Sequence, residues 1–161
     1  MMRIHLQTLL SRLSRLTGFS DRAASVKKTS KGDMEQPAQG AGVYIPGEGT
    51  VPGGAAAILN RAGVQAHVEE NTPQNVQNAL SQYRGVISSH DAGALWGDDR
   101  YAGMAHTVHT TGVVRGAGGS VTHYIINDTG TGEAGRMAPA QQYENSLLPG
   151  RRLTVTDRPI W

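Results

Sequence analysis

Residues 106–128 read HTVHTTGVVRGAGGSVTHYIIND. Two runs rich in Thr, Val, Ile and Tyr, at 106–114 and 120–128, flank the glycine-rich segment 115–119. β-Branched and aromatic residues favour strands, and a short glycine-rich connection favours a tight turn between them. This stretch therefore predicts an antiparallel β-hairpin.

The length of the turn predicts the register of the hairpin. If Val114 pairs with Ser120, then His106 lies directly opposite Asp128. Directly opposed side chains have Cβ atoms about 4.5–5.5 Å apart, so the imidazole and the carboxylate would meet on one face. A carboxylate in that position orients a histidine that acts as a general base. The simpler alternative is an exposed ion pair that contributes less than about 1 kcal/mol.

The same stretch does not predict a metal site. His106 and His109 are three positions apart, and in a strand such positions point to opposite faces.

The glycine-rich loop Gly47–Gly54 does not predict a nucleotide site. It lacks the Lys followed by Ser or Thr of a P-loop, because Ala55 follows it, and the Rossmann glycine spacing is absent. We therefore predict no metal and no cofactor.

The composition of the whole chain agrees with strands joined by glycine turns. The 161 residues suit one domain, with 38% hydrophobic residues, 17% charged residues and 21 Gly. That balance argues against long helices and coiled coils. No run of 18 apolar residues occurs, so the sequence predicts no transmembrane segment.

The charge of the chain is unevenly distributed. Up to Lys31 there are seven basic residues and one acidic residue, whereas the rest of the chain carries eight basic and twelve acidic residues. The acidic part shows no basic stripe interleaved with aromatic residues, so nucleic acid is not a predicted partner.

The chain divides into three stretches. Residues 1–32 form a basic segment with an amphipathic helix predicted over 3–17, which would pack on the body, lie on a membrane surface or serve in targeting. Residues 33–54 are a glycine- and proline-rich loop region with a short strand at 43–45. Residues 55–161 form the core, with predicted helices at 55–62 and after Thr72, and predicted strands at 64–68 and near 86–90. We expect an α+β fold in which N-terminal helices pack on an antiparallel sheet of about four to six strands.

Four motifs of the core carry a resemblance. They are SSHDAGALW at 88–96, HTVHTTGVV at 106–114, YIINDTG at 124–130 and TDRPIW at 156–161. Over about residues 55–161 the chain resembles the papain-like cysteine peptidase domains of bacterial polymorphic toxins and secreted effectors. The resemblance implies that His106 is the general base and Asp128 its orienting acid, and that Trp96, Asp91 and Gly93 line the substrate cleft. It also implies a protein or peptide substrate, and a host target or a cognate immunity protein as partner.

The nucleophile of that family is missing, because the chain contains no cysteine. A papain-like site places Cys at a helix N-terminus, where the helix dipole and a nearby imidazolium lower its pKa. The missing residue belongs either ahead of the first helix, so that the chain would begin just after it, or at Gly53, Gly54 or Ala55. The chain is then a hydrolase domain without its nucleophile, a pseudoenzyme or binding module that uses the retained cleft, or a glutamine deamidase of the same fold. A protein of this kind is either located in the bacterial cytoplasm or secreted.

Overall fold

The computed structural model of the chain describes residues 42–45, 49–51, 53–128 and 130–160. The helix predicted over 3–17, the basic segment 1–32 and most of the loop region 33–54 lie outside these residues. The described residues form an α+β fold. They contain no helix that is long and apolar enough to cross a membrane.

Helices and strands are interspersed along the described part of the chain, and three strands follow one another in its second half. The helices are α1 (Gly54–Arg61), α2 (Pro73–Ser81), α3 (Ala92–Trp96) and α4 (Ala140–Ser146), with a short 3-10 helix at Asp99–Tyr101. The strands are β1 (Tyr44–Ile45), β2 (Gly49–Thr50), β3 (Ala66–Glu70), β4 (Arg84–Asp91), β5 (Ala105–Arg115), β6 (Val121–Asp128), β7 (Glu133–Pro139) and β8 (Arg152–Pro159).

Six of the strands form one antiparallel sheet in the order β3-β8-β4-β5-β6-β7. The predicted hairpin is present as β5 and β6, and β4 and β7 flank it on either side. The prediction of an α+β fold with an antiparallel sheet of four to six strands is confirmed. The strands β1 and β2 pair separately.

The predicted register of the hairpin is wrong. Val114 pairs with His123 rather than with Ser120, and the turn closes more tightly, with the Gly116 amide donating to the Ser120 carbonyl at 2.9 Å. Two bulges then change the register: Thr122 is extra in β6, and Thr111 is extra in β5. A single bulge moves the side chains beyond it to the opposite face relative to the partner strand. Because each strand gains one residue, the second bulge cancels the effect of the first.

Local sequence signals explain the helix beginnings that were predicted. Thr72 is the N-cap of α2, its hydroxyl accepts from the Asn75 amide at 3.2 Å, and Pro73 occupies the first turn. Helix α1 follows Gly53, which has the left-handed φ of 80° that glycine tolerates.

The two faces of the sheet carry different apolar clusters. The larger cluster joins one face to helices α2, α3 and α4 and consists of Val76, Ala79, Leu80, Val86, Leu95, Val108, Tyr124, Ile126, Ala138, Tyr143, Leu147, Leu153 and Val155. The smaller cluster joins the other face to α1 and consists of Ala56, Leu59, Ala66, Ile87 and Ile160. The neighbours Val86 and Ile87 of β4 belong to different clusters, as the alternation of a strand requires.

Strand β7 and helices α3 and α4 are among the elements that were not predicted. Strand β7, with the sequence EAGRMAP, lies at an edge of the sheet and is mostly exposed, so it lacks the apolar alternation of a buried strand. Helices α3 and α4 have only five and seven residues, too few to show a helical period clearly. Tertiary packing, rather than local pattern, forms these elements.

Candidate functional site

The centre of the candidate site is a contact between His106 and Asp128. The imidazole Nε2 lies 2.8 Å from Oδ1 of the carboxylate. Asp128 follows the His109–Asn127 pair in the observed register, so it is a diagonal rather than a direct neighbour of His106 on the same face. The His106 side chain is 5% exposed and that of Asp128 is 0% exposed, so this is not the exposed pair of the simpler alternative.

Four hydrogen-bond donors hold the Asp128 carboxylate. Oδ1 accepts from His106 and from the backbone amides of Gly130 and Thr131, at 2.8 and 3.4 Å for the two amides. Oδ2 accepts from the indole Nε1 of Trp96 at 2.6 Å. Burial by itself raises the pKa of Asp128, but the hydrogen bonds from His106 and Trp96, the charge of His106 and the Gly130 amide together lower it to about 2. The carboxylate is therefore ionised at neutral pH.

An ionised Asp128 determines the tautomer of His106. The carboxylate can only accept, so Nε2 of His106 must donate, and in the neutral imidazole the lone pair is then on Nδ1. Nδ1 makes no hydrogen bond to any residue that the structure describes. The arrangement can take up a proton at Nδ1 while Asp128 stabilises the resulting imidazolium.

Trp96 links the dyad to a surface groove. Its ring lies 4.9 Å from that of His106 and 4.9 Å, edge to face, from that of Tyr101. The groove has a volume of about 380 Å³. It is lined by Trp96, Asp98, Arg100, Tyr101, Gly130, Thr131, Glu133 and Arg136.

Asp91 and Gly93, which were predicted to line the cleft, make contacts outside this groove. Asp91 caps helix α3, where its Oδ1 accepts from the Ala94 amide at 2.8 Å and its Oδ2 accepts from the Gly103 amide. Gly93 is buried, and a Cβ there would lie 2.6 Å from the Ala102 amide nitrogen. Both residues hold the segment that carries Trp96, and neither is among the residues that line the groove.

A polar cluster that the sequence did not reveal lies behind His106. His90 of β4 pairs with His106 in the β4–β5 register and is fully buried. Its Nδ1 lies 2.7 Å from the Ser146 hydroxyl, which itself donates to the Tyr143 carbonyl, and its Nε2 lies 2.8 Å from the Ser88 hydroxyl. Burial lowers the pKa of His90 most, and the positive charge of His106 lowers it further, to about 3. His90 is therefore neutral at physiological pH, with its proton on Nδ1.

The positions considered for a lost nucleophile are remote from His106. Gly54 and Ala55 belong to α1, which packs on the face of the sheet that bears Ile87, whereas His106 shares the opposite face with Val86. A Cβ at Gly53 would contact Val68 of the edge strand β3. Strands β3 and β5 are three places apart in the sheet, which corresponds to about 14 Å. The structure does not bring these three positions to the dyad.

A second histidine with carboxylate partners lies on the surface. His67 of β3 contacts Asp157 through Nδ1 at 2.5 Å and Glu69 through Nε2 at 2.9 Å, and the hydrogen bonds that these two carboxylates accept from the imidazole raise its pKa. Because the two ring nitrogens meet carboxylates in different directions, this set does not converge on one point. Among the described residues, no group of three or more His, Asp or Glu side chains is arranged to hold a metal.

No protein-family model matches the sequence, and no curated protein matches it.

Proposed function

We propose that the chain carries the histidine–acid half of a papain-like hydrolase site, in a domain of the toxin or effector type, and that it lacks the thiol half. The observation that carries the proposal is the buried contact of His106 Nε2 with Asp128 Oδ1 at 2.8 Å, beside a groove open to solvent. The substrate of such a site is a peptide or protein, and cleavage or glutamine deamidation would begin with the same proton transfer.

The chemistry of the proposal follows from the tautomer of His106. Nδ1 accepts the proton of a thiol placed beside it, the thiolate attacks the acyl carbon of the substrate, and the imidazolium returns the proton to the leaving amine. Asp128 stays ionised and stabilises the imidazolium, as in a catalytic triad. The chain has no cysteine of its own. Without an added thiol we expect no turnover by this route.

The second candidate function is binding without catalysis. The absence of cysteine, together with a groove that has aromatic and charged walls, favours a pseudoenzyme or binding module that recognises a peptide. The two candidates differ in whether the space beside Nδ1 of His106 accepts a thiol.

A cysteine scan separates them. Single cysteines are introduced along residues 1–41 and along a short N-terminal extension, and each is the sole thiol of its variant because the natural sequence has none. A thiol beside a protonated imidazole has a lowered pKa, so we expect at least one position to react with iodoacetamide at pH 6 about tenfold faster than a free thiol. That excess should disappear when His106→Ala is added.

The matched control is Ala55→Cys, which lies on the other face of the sheet. It should react at the same rate in the presence and absence of His106. If no position in the scan depends on His106, the hydrolase proposal is wrong and the binding function is retained.

A further inference from the structure

Arg136 is a basic residue that lines the groove. Its guanidinium N–H groups have no hydrogen-bond acceptor among the described residues. Its side chain is 23% exposed, and its closest carboxylate oxygens, Asp128 Oδ2 and Glu133 Oε2, are both 3.8 Å away. These distances exceed hydrogen-bonding range, so the two carboxylates attract the guanidinium by charge without accepting a hydrogen bond from it. No described residue accepts a hydrogen bond from the guanidinium of Arg136.

Asp128 accepts its hydrogen bonds from other groups, and its Oδ2 lies 3.8 Å from the guanidinium. Oδ2 accepts from Trp96, and Oδ1 accepts from His106 and two backbone amides. The negative charge of Asp128 nevertheless attracts the guanidinium and keeps it at the groove wall. The fold thus fixes the position of Arg136 without using its donors.

The other arginine of the groove, Arg100, already donates hydrogen bonds to a carboxylate. The guanidinium of Arg100 donates to both oxygens of Asp98, with Nη2 to Oδ2 at 2.6 Å and Nε to Oδ1 at 3.0 Å. This two-pronged pair neutralises both charges. Of the two arginines, therefore, Arg136 is the one prepared to bind an anion.

We propose that the groove binds a carboxylate group through Arg136, so that its ligand is a peptide with an acidic side chain or a free C-terminus. A guanidinium accommodates a carboxylate by two parallel hydrogen bonds. The indole of Trp96 and the ring of Tyr101 supply apolar surface for the adjoining part of the peptide. A groove of about 380 Å³ has room for a few residues of such a ligand.

Glu133 sets a limit on the affinity. Its carboxylate lines the same groove, accepts from the Thr131 hydroxyl at 3.1 Å, and lies 3.8 Å from Arg136. An incoming carboxylate displaces Glu133 from Arg136 and is repelled by it. The variant Glu133→Gln should therefore bind acidic peptides more tightly than the natural protein.

The inference concerns the groove of the proposed hydrolase but needs none of its chemistry. Binding requires no thiol, so it is measured on the full chain without any added cysteine. A failure here leaves the cysteine scan unaffected, and a failure of the scan leaves the binding result unaffected.

The experiment titrates two pairs of short alanine-based peptides, up to millimolar concentrations, into the 15N-labelled protein. One pair, blocked at both ends, carries Glu or Gln at its centre, and the other ends in a free carboxylate or an amide. The indole N–H signal of Trp96 reports binding, because that N–H donates to Asp128 beside Arg136, and Trp161 supplies the reference indole. We expect one carboxylate peptide, or both, to bind about tenfold more tightly than its neutral partner. The pair that shows the difference identifies the source of the carboxylate.

Two variants test the role of Arg136. Arg136→Gln should abolish the preference for the carboxylate, whereas Arg100→Gln, which removes the same charge from the same groove, should largely keep it. Thermal melting of both variants checks that the fold is intact, and the Glu133→Gln variant serves as the opposite test if Arg136→Gln is unfolded. The proposal is overturned if charged and neutral peptides bind equally, if no peptide binds, if Arg100→Gln loses the preference as fully as Arg136→Gln, or if Glu133→Gln does not tighten binding.

Discussion

Asp128 is the residue on which the geometry of the site depends. Its carboxylate joins three parts of the chain: strand β5 through His106, helix α3 through Trp96, and the turn after β6 through the Gly130 amide. A fully buried carboxylate is costly unless it is paired and hydrogen-bonded, and here both oxygens have partners. The same bonds therefore stabilise the fold and orient His106.

Replacing this carboxylate should change the acid stability of the protein. The pKa of Asp128 is about 2 in the folded chain, below the ordinary value of about 3.9, so its contribution is present above pH 4 and is lost as the pH falls toward 2. We expect Asp128→Asn to lower the unfolding free energy by about 2 kcal/mol at pH 7 and the two proteins to converge near pH 2. Urea unfolding from pH 2 to pH 7 measures this. The exposed Asp99→Asn serves as the control. If the unfolding free energies of Asp128→Asn and the natural chain changed with pH in parallel, the prediction would be wrong.

Gly130 is required by close packing rather than by backbone conformation. A Cβ at this position would overlap Trp96 Cζ2 and lie 3.0 Å from His106 Cε1, and the φ of Gly130 is not in the left-handed region. We expect Gly130→Ala to displace the indole, to destabilise the protein by about 1–3 kcal/mol, and to shift the Trp96 indole N–H signal. Gly118→Ala, where a Cβ meets nothing within 4 Å, should change neither quantity. An unaltered indole signal in Gly130→Ala would show that the contact is not needed.

At the scale of the secondary structure, the two bulges of the hairpin decide whether the dyad forms. Thr111 and Thr122 are each extra in their strands, and each hydroxyl donates across the hairpin, to the carbonyls of Ile125 and Val114 respectively, both at 3.2 Å. Because side chains alternate along a strand, a single bulge would place His106 and Asp128 on opposite faces. Two bulges return them to the same face.

This arrangement makes a deletion test possible. Deleting Thr122 alone should send Asp128 to the opposite face and cost about 3 kcal/mol or more, because the buried pair is broken. Deleting both Thr111 and Thr122 keeps every other residue pair of the hairpin and should recover part of that loss. Urea unfolding of the three chains measures the order of stability. A double deletion that is less stable than the Thr122 deletion would disprove the role of parity.

In the whole molecule, the sheet separates the site from the smaller apolar cluster. His106 and Trp96 lie on the face covered by α2, α3 and α4, whereas α1 covers the other face through Leu59. Trp96 of the site packs against the larger cluster.

We therefore expect two core truncations to differ in their effect on the site. Leu59 and Leu95 are both 0% exposed, so Leu59→Ala and Leu95→Ala should each cost about 2–5 kcal/mol. Leu95 precedes Trp96 in helix α3, so its truncation should also shift the Trp96 indole N–H signal, whereas Leu59→Ala should leave that signal in place. Urea unfolding and the 1H–15N spectrum measure the two effects. An equal shift in both variants would mean that the sheet does not isolate the site.

The local pattern of the sequence determined the elements that are rich in β-branched residues or well capped. The hairpin of β5 and β6, the strand β4, and the beginning of α2 at Thr72 and Pro73 were all predictable, because alternation and capping act between residues close together in the chain. His106 and Asp128 were recognisable as candidates for the same reason, since they stand at the two far ends of the hairpin.

Tertiary structure decided what depends on contacts between distant residues. The register predicted from the turn was wrong, and His106 meets Asp128 only because two bulges cancel, which no count along the loop reveals. Trp96 is 32 positions and Arg136 is 8 positions away from Asp128 in the chain, and His90 meets His106 across the β4–β5 pair from 16 positions away. Such contacts follow from how the sheet and helices pack, because a local pattern specifies which face a side chain occupies but not which distant side chain it meets there.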